Sequence, residues 1–189
     1  MKTGVMCIQI FRFFIIKTLE THYYTEIDTP LGKMMAIGSE TQLYQLEFLD
    51  TEPENYLPKL AAVGQFNLSP QPCDMLENVR KQVEAYFDHE LQRFNVETGP
   101  SGTPFQREVW EKVKEIPFGR TKTYADVAKE LGDEQKVRAV ANANGANRVA
   151  LIVPCHRVVG ANQDLTGYRW GLERKEALLD HERRQKRLF

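Results

Sequence analysis

The sequence of 189 residues is 42% hydrophobic and 27% charged, with a formal net charge of -1, a balance that fits one compact domain or two small ones. No stretch reaches the ~18 uninterrupted apolar residues of a membrane-spanning helix, because the most apolar run, Val5 to Ile16, is broken by Gln9 and Arg12. The three cysteines, Cys7, Cys73 and Cys155, are odd in number and widely spaced, which argues against a disulfide framework and offers no zinc-binding pairing. A chain that keeps a thiol for chemistry belongs in a reducing compartment, so a cytoplasmic location is expected.

In chain order, residues 1–20 read as an N-terminal extension, strand or poorly ordered, without the small-residue cleavage site of a signal peptide. Residues 21–97 read as a sheet-rich domain. Tyr23 to Ile27, Lys33 to Ile37 and Gln42 to Leu49 are predicted strands, the first two joined at Pro30-Leu31-Gly32. Leu76, Val79, Val83, Tyr86 and Phe87 recur at helical spacing and predict a helix over one sheet face. The Gly- and Pro-rich stretch 98–104 reads as a linker.

Residues 105–189 change texture to short helices. Phe105, Val109, Val113 and Ile116 form an apolar stripe ending at Pro117-Phe118-Gly119. Thr123 and Asp126 have capping-box spacing and open a helix closed by Gly132. Asp133 can cap a second helix running to Gly145, and the pair suggests a helix-turn-helix, a weak signal alone. On this second helix Ala139, Ala141, Ala143 and Gly145 are small and Arg138 projects among them. Such a surface suits close approach to a nucleic-acid groove, and suits tight core packing equally well.

Charge is asymmetric: residues 1–100 carry 8 basic and 14 acidic side chains, net -6, and residues 101–189 carry 17 and 12, net +5. From Gln135 to Gln163 there is no acid, while Lys136, Arg138, Arg148 and Arg157 are present, so a phosphate backbone would meet no repulsion there. A solvated basic face is the plainer reading of charge alone.

The sharpest feature is Leu151-Ile152-Val153-Pro154-Cys155-His156-Arg157-Val158-Val159. An apolar strand-like run leads into Pro154, which suits the first position of a helical turn. There a helix dipole and basic neighbours would lower the thiol pKa of Cys155 toward the nucleophilic thiolate. His156 is adjacent in sequence and points differently, so it reaches Cys155 only through a bridging water. A cysteine after an apolar run is more often a core residue, and spacing alone does not choose.

The chain resembles the methylated-DNA-protein-cysteine methyltransferases, the O6-alkylguanine-DNA alkyltransferase family. The match runs from Thr103 to Glu182 through Pro104-Phe105-Gln106, Val109-Trp110, Ile116-Pro117-Phe118-Gly119, Thr123-Tyr124, Arg138-Ala139-Val140, Asn147, Pro154-Cys155-His156-Arg157-Val158, Gly167-Tyr168, Lys175-Glu176, Leu178-Leu179 and His181-Glu182. The resemblance implies an α+β fold: a small ribonuclease-H-like sheet domain, then a mostly helical, winged-helix-like domain carrying the helix-turn-helix. It implies stoichiometric transfer of an alkyl group from O6-alkylguanine, with O4-alkylthymine as a side substrate, onto Cys155. The protein would be self-inactivating, without cofactor or metal, and would act as a monomer on double-stranded DNA.

By the same resemblance His156, oriented by Glu182, takes the thiol proton through water, Asn147 holds the turn, and Tyr124 protonates guanine N3. Arg138 fills the gap left by the extruded nucleotide, with Ala139, Gly145 and Thr123 at the DNA surface. Tyr168, Trp170, Val158 and Val159 are expected to wall the alkylguanine pocket. Arg148 stands where many relatives have proline, and Ala150 and Trp170 where some have proline and a small residue. The competing reading is an alkylation-sensing DNA-binding regulator; the presence of Cys155 argues against it. A cysteine hydrolase would need a turnover route that the sequence does not signal.

Overall fold

A computed structural model of the protein describes residues 21–50, 53–62, 67–71 and 73–186. The expected N-terminal extension, with Cys7, lies outside the described residues. Strands β1 (Thr21–Ile27), β2 (Met34–Gly38), β3 (Leu43–Phe48) and β4 (Asn67–Ser69) form one sheet in the order β3-β2-β1-β4. The β1-β2 and β2-β3 pairs are antiparallel, and β4 joins β1 in parallel.

Alternation along β2 sends Met34 and Ala36 to the main core and Met35 and Ile37 to a smaller core with Leu49 and Leu60. That second core is covered by helix α1 (Pro53–Ala62), absent from the sequence reading because Pro58 interrupts its helical pattern. The three-residue β4 is too short to show alternation. On the other face, helix α2 (Asp74–Phe87) buries Leu76, Val79, Val83 and Tyr86, the stripe expected from the sequence.

The stretch 98–104 is tied down at its start. Leu43 N–H donates to Glu97 O at 2.9 Å and Gly99 N–H to Leu43 O at 2.8 Å, so the chain runs along the edge of β3 before turning into helix α3 (Pro104–Lys114). Thr103 and Gln106 form a capping box at α3, and Thr123 and Asp126 form another at helix α4 (Tyr124–Glu130). Each N-cap contributes about 1 kcal/mol. Asp133 Oδ1 accepts from Gln135 N–H and caps a 3-10 turn, Glu134–Lys136, that leads into helix α5 (Val137–Gly145). The Trp110 indole donates to Ala143 O at 2.8 Å and joins α3 to α5. Two short parallel strands, β5 (Lys122–Thr123) and β6 (Val158–Val159), close this unit, and helix α6 (Leu172–Lys186) packs behind it.

The run Leu151–Val153 corrects the sequence reading: it is a buried turn, not a strand. Val153 N–H bonds Val149 O and Ile152 N–H bonds Ala150 O, while Leu151 takes φ +67°, a costly conformation for a branched side chain. The run is apolar because it lies between the two units. Leu46 N–H donates to Arg148 O at 2.9 Å and Ala150 N–H to Leu46 O at 2.8 Å, so β3 holds the start of this turn directly.

Candidate active site

Cys155 follows Pro154 and opens a 3-10 turn, Cys155–Arg157, with only 2% of its surface exposed. Asn147 organises the approach. Its Oδ1 accepts from Val149 N–H at 2.8 Å, and its Nδ2 lies 3.0 Å from Val153 O and 3.1 Å from Cys155 Sγ. Asn144 Nδ2 donates to Cys155 O at 3.2 Å. The turn is thereby held by two amides, one of which also reaches sulfur.

The expected low thiol pKa is not what this geometry produces. Burial pushes the Cys155 thiol up to about 11, and the Asn147 hydrogen bond and the Lys175 charge offset this only in part. A single 3-10 turn has little dipole, and Arg157, expected as a basic neighbour facing phosphate, points into the core. The resting cysteine is a neutral thiol, so a base must deprotonate it.

His156, next to Cys155 in sequence, forms a buried pair with Glu182. Both are 0% exposed, and Nε2 lies 2.8 Å from Glu182 Oε1. Burial raises the Glu182 carboxyl, but the charges and hydrogen bonds of His156 and Arg157 outweigh it and hold the group well below the usual carboxylate range. An ionised carboxylate only accepts, so Nε2 carries the hydrogen and Nδ1 keeps its lone pair. Nδ1 is buried and bonds no protein atom. Burial also pushes the His156 pKa down, with Glu182 opposing, which keeps the ring a neutral base.

Four residues around this centre were given no part in it by the sequence reading. Arg157 binds Glu182 through Nε (3.0 Å to Oε2) and Nη2 (2.9 Å to Oε1), and its Nη1 donates to Ile116 O at 2.7 Å. The Tyr86 hydroxyl, from α2 in the sheet domain, donates to Glu182 Oε1 at 3.0 Å. Gly119, at φ +67°, turns its N–H onto Glu182 Oε2 at 2.9 Å. Lys175, 0% exposed, donates from Nζ to the carbonyls of Thr166 (2.7 Å) and Gly167 (3.4 Å), and among the described residues it forms no ion pair. Burial pushes Lys175 down to about 8, with Cys155 as its opposing partner. A buried ammonium without a carboxylate was the available signal, and a lysine in a charged helix such as α6 conceals it.

Tyr124 is half-buried, and its hydroxyl reaches Thr166 O at 3.4 Å, the carbonyl that Lys175 also binds. Burial raises its pKa, so it stays a proton donor. Tyr168 is close enough to Cys155 for their charges to interact. Trp170, expected in the pocket wall, is 5% exposed and packs edge-on against Tyr168 (5.2 Å) and Phe48 of β3 (6.2 Å). It backs Tyr168 from the core side. Val158 and Val159, also expected in that wall, have buried side chains, Val158 in the main core.

The helix-turn-helix face stands apart from this buried centre. Arg138, Ala139 and Gly145 are exposed on α5, and a Cβ added at Gly145 would meet open space. Arg138 forms no ion pair among the described residues. Thr123 spends its hydroxyl on the cap of α4. Arg148 turns toward Glu47 of β3, Nη1 3.8 Å from Oε2, and so faces the sheet domain. Among the described residues no group of three or more His, Cys, Asp or Glu is placed to hold a metal, and no helix is long and apolar enough to cross a membrane.

A buried cysteine next in sequence to a buried histidine-carboxylate pair, set behind a helix-turn-helix, defines the class: a protein with one sheltered thiol on a nucleic-acid-binding scaffold. Residues 22–100 match the ribonuclease-like domain of 6-O-methylguanine DNA methyltransferase, and residues 104–184 match its DNA binding domain. A methylated-DNA--protein-cysteine methyltransferase of Methanosarcina acetivorans is 40% identical over 157 residues, 83% of this chain and 96% of that protein. The crystal structure of a Mycobacterium tuberculosis O6-methylguanine methyltransferase has a TM-score of 0.74 at 37% identity, covering 87% of this chain and 94% of that one. The structure of the Mycobacterium tuberculosis protein in complex with DNA matches at the same TM-score and identity over 86% of this chain. The chain belongs to the 6-O-methylguanine DNA methyltransferase family.

Proposed function

We propose that this protein repairs DNA by moving a methyl or other small alkyl group from guanine O6 onto Cys155, once per molecule. The observation that carries the reading is the buried Asn147–Cys155–His156–Glu182 constellation in a chain of this family. The thiol proton passes through a water to His156 Nδ1, whose tautomer Glu182 fixes. The S–C bond then forms as the C–O6 bond breaks, and the electron pair stays on guanine. Tyr124 gives its proton to guanine N3, and the proton held on His156 restores the tyrosine, so one proton leaves sulfur and one arrives on guanine. The thioether has no hydrolytic exit, which makes the protein a reagent consumed in use.

Duplex DNA is the partner, bound at α5 by a monomer. A target base must leave the stack to reach a thiol that is 2% exposed, and Arg138 is the exposed cation able to take its place. The need to keep Cys155 reduced supports a cytoplasmic location. Transfer from methyl-labelled O6-methylguanine duplex is expected to stop at one methyl per protein; continued release of product would reject the suicide reaction. Arg138→Ala is expected to slow repair in duplex at least tenfold more than reaction with free O6-methylguanine, about 1.4 kcal/mol of lost stabilisation. Equal losses on the two substrates would move Arg138 into the chemical step or the fold.

A further inference from the structure

Glu47 lies on β3, the edge strand that also bonds the start of the cysteine turn, far in sequence from Cys155, yet it is 4% exposed. Such burial is costly unless the carboxylate is paired, and its partners are informative. Oε1 accepts from Arg169 Nε at 3.1 Å, Oε2 accepts from the Tyr56 hydroxyl at 2.5 Å, and Arg148 Nη1 stands 3.8 Å from Oε2. Arg148 directly follows Asn147, the residue that holds the cysteine turn. Arg169 lies between Tyr168 and its backing residue Trp170. One carboxylate of the sheet domain therefore ties together the two segments that flank Cys155.

The neighbours of Glu47 on the same strand extend the pattern. Leu46 exchanges backbone hydrogen bonds with Arg148 and Ala150, and Phe48 packs on Trp170. Just beyond, Asp50 pairs with Arg174 at 2.6 Å, whose Nη1 also binds Trp170 O at 3.0 Å. Beside Glu47 a cleft of about 830 Å³ separates the sheet from these segments, lined by Tyr44, Trp110 and both arginines among others. Across the cleft the ionic tie is the side-chain link between sheet and segments, and it acts beside the Leu46 backbone bonds and the Phe48–Trp170 contact.

We propose that Glu47 is a positioning residue that sets the width of the alkylguanine slot, acting through Arg169 on Tyr168 and through Arg148 on the cysteine turn. The proposal rests on the function assigned above. Cutting the tie lets the Tyr168–Trp170 segment relax toward the cleft, so a bulky O6 substituent gains access while the small methyl group loses alignment.

The test compares parent, Glu47→Gln, Arg169→Gln and the double variant, reading rate constants for O6-methylguanine duplex and for free O6-benzylguanine, together with Tm. Glu47→Gln is expected to raise the benzyl-to-methyl rate ratio by about tenfold, and the double variant to match either single one, as a shared contact requires. Arg169→Gln cuts the same tie from the more exposed side and gives the same shift even if a buried carboxamide at position 47 prevents folding. A folded variant with an unchanged ratio, or ratios that multiply in the double variant, would overturn the proposal. A loss of Tm with both rates falling in step would reduce Glu47 to a fold residue and overturn it equally. A parent that alkylates itself with neither substrate would instead strike the functional assignment beneath.

Discussion

Cys155→Ala abolishes alkyl transfer and leaves duplex binding within a few-fold of the parent. The two properties separate because they lie in different parts of the structure: the sulfur is buried behind the turn, and the DNA face is the exposed side of α5 with Arg138 and Gly145. Removing the sulfur takes one partner from Asn147 Nδ2, which keeps the carbonyls of Val153 and Val149, so the turn retains its ties. The folding cost is about 1 kcal/mol, the usual scale for trimming one buried atom. Gel-shift titration with duplex DNA and a labelled-methyl assay on the same preparation check both halves. Simultaneous loss of binding and transfer in a folded variant would mean that the cysteine shapes the DNA surface.

Glu182→Ala has the largest expected effect on stability. Glu182 is the acceptor for His156, Arg157, Tyr86 and Gly119, all of them left without that partner when it goes. Breaking a buried ion pair from one side costs about 3–5 kcal/mol, which lowers Tm on the order of 10 °C in a chain of this size. Glu182→Gln keeps the shape and loses the charge; it is expected to retain more stability than Ala and still to transfer slowly, since the imidazole no longer has its tautomer fixed.

The same carboxylate gives the parent an acid limb. His156 and Arg157 hold its folded pKa well below the usual carboxylate range, so its contribution is complete above that range. It is lost as pH falls further, because the unfolded chain takes up a proton there that the folded site refuses. Thermal melts of parent and Glu182→Gln from neutral pH downward should converge. Parallel curves would place the acid sensitivity elsewhere.

Much of this was legible in the residues, and the parts that were not have physical reasons. Runs rich in strand-forming residues, the first two joined at Pro30-Leu31-Gly32, announced β1 to β3, although β2 is buried on both faces, and the stripe from Leu76 to Val83 announced α2, because that helix buries one face. The Thr123–Asp126 capping box announced α4, since an orphaned N–H at a helix start demands such a side chain, and the apolar stripe from Phe105 to Ile116 announced α3, whose own capping box emerged only with the structure. The buried turn before Cys155 read as a strand because burial between two units selects apolar residues whatever the backbone does.

Arg157 read as a surface cation because sequence shows charge and not its partner, which is 25 residues away in Glu182. The site contacts of Tyr86 and Glu47 were hidden for the same reason, since each joins distant parts of the chain. Burial also reversed the expected direction at the thiol, and that reversal makes the histidine-carboxylate pair necessary.

The central claim is that Cys155 is the acceptor of an alkyl group from guanine O6, and the direct measurement is mass spectrometry after one incubation with O6-methylguanine duplex. The account predicts an intact-mass gain of one methyl group in place of one hydrogen, carried entirely by the peptide containing Cys155, with guanine restored in the DNA. A methyl group found on Cys73 or Cys7, or restored guanine with the protein mass unchanged, would contradict it.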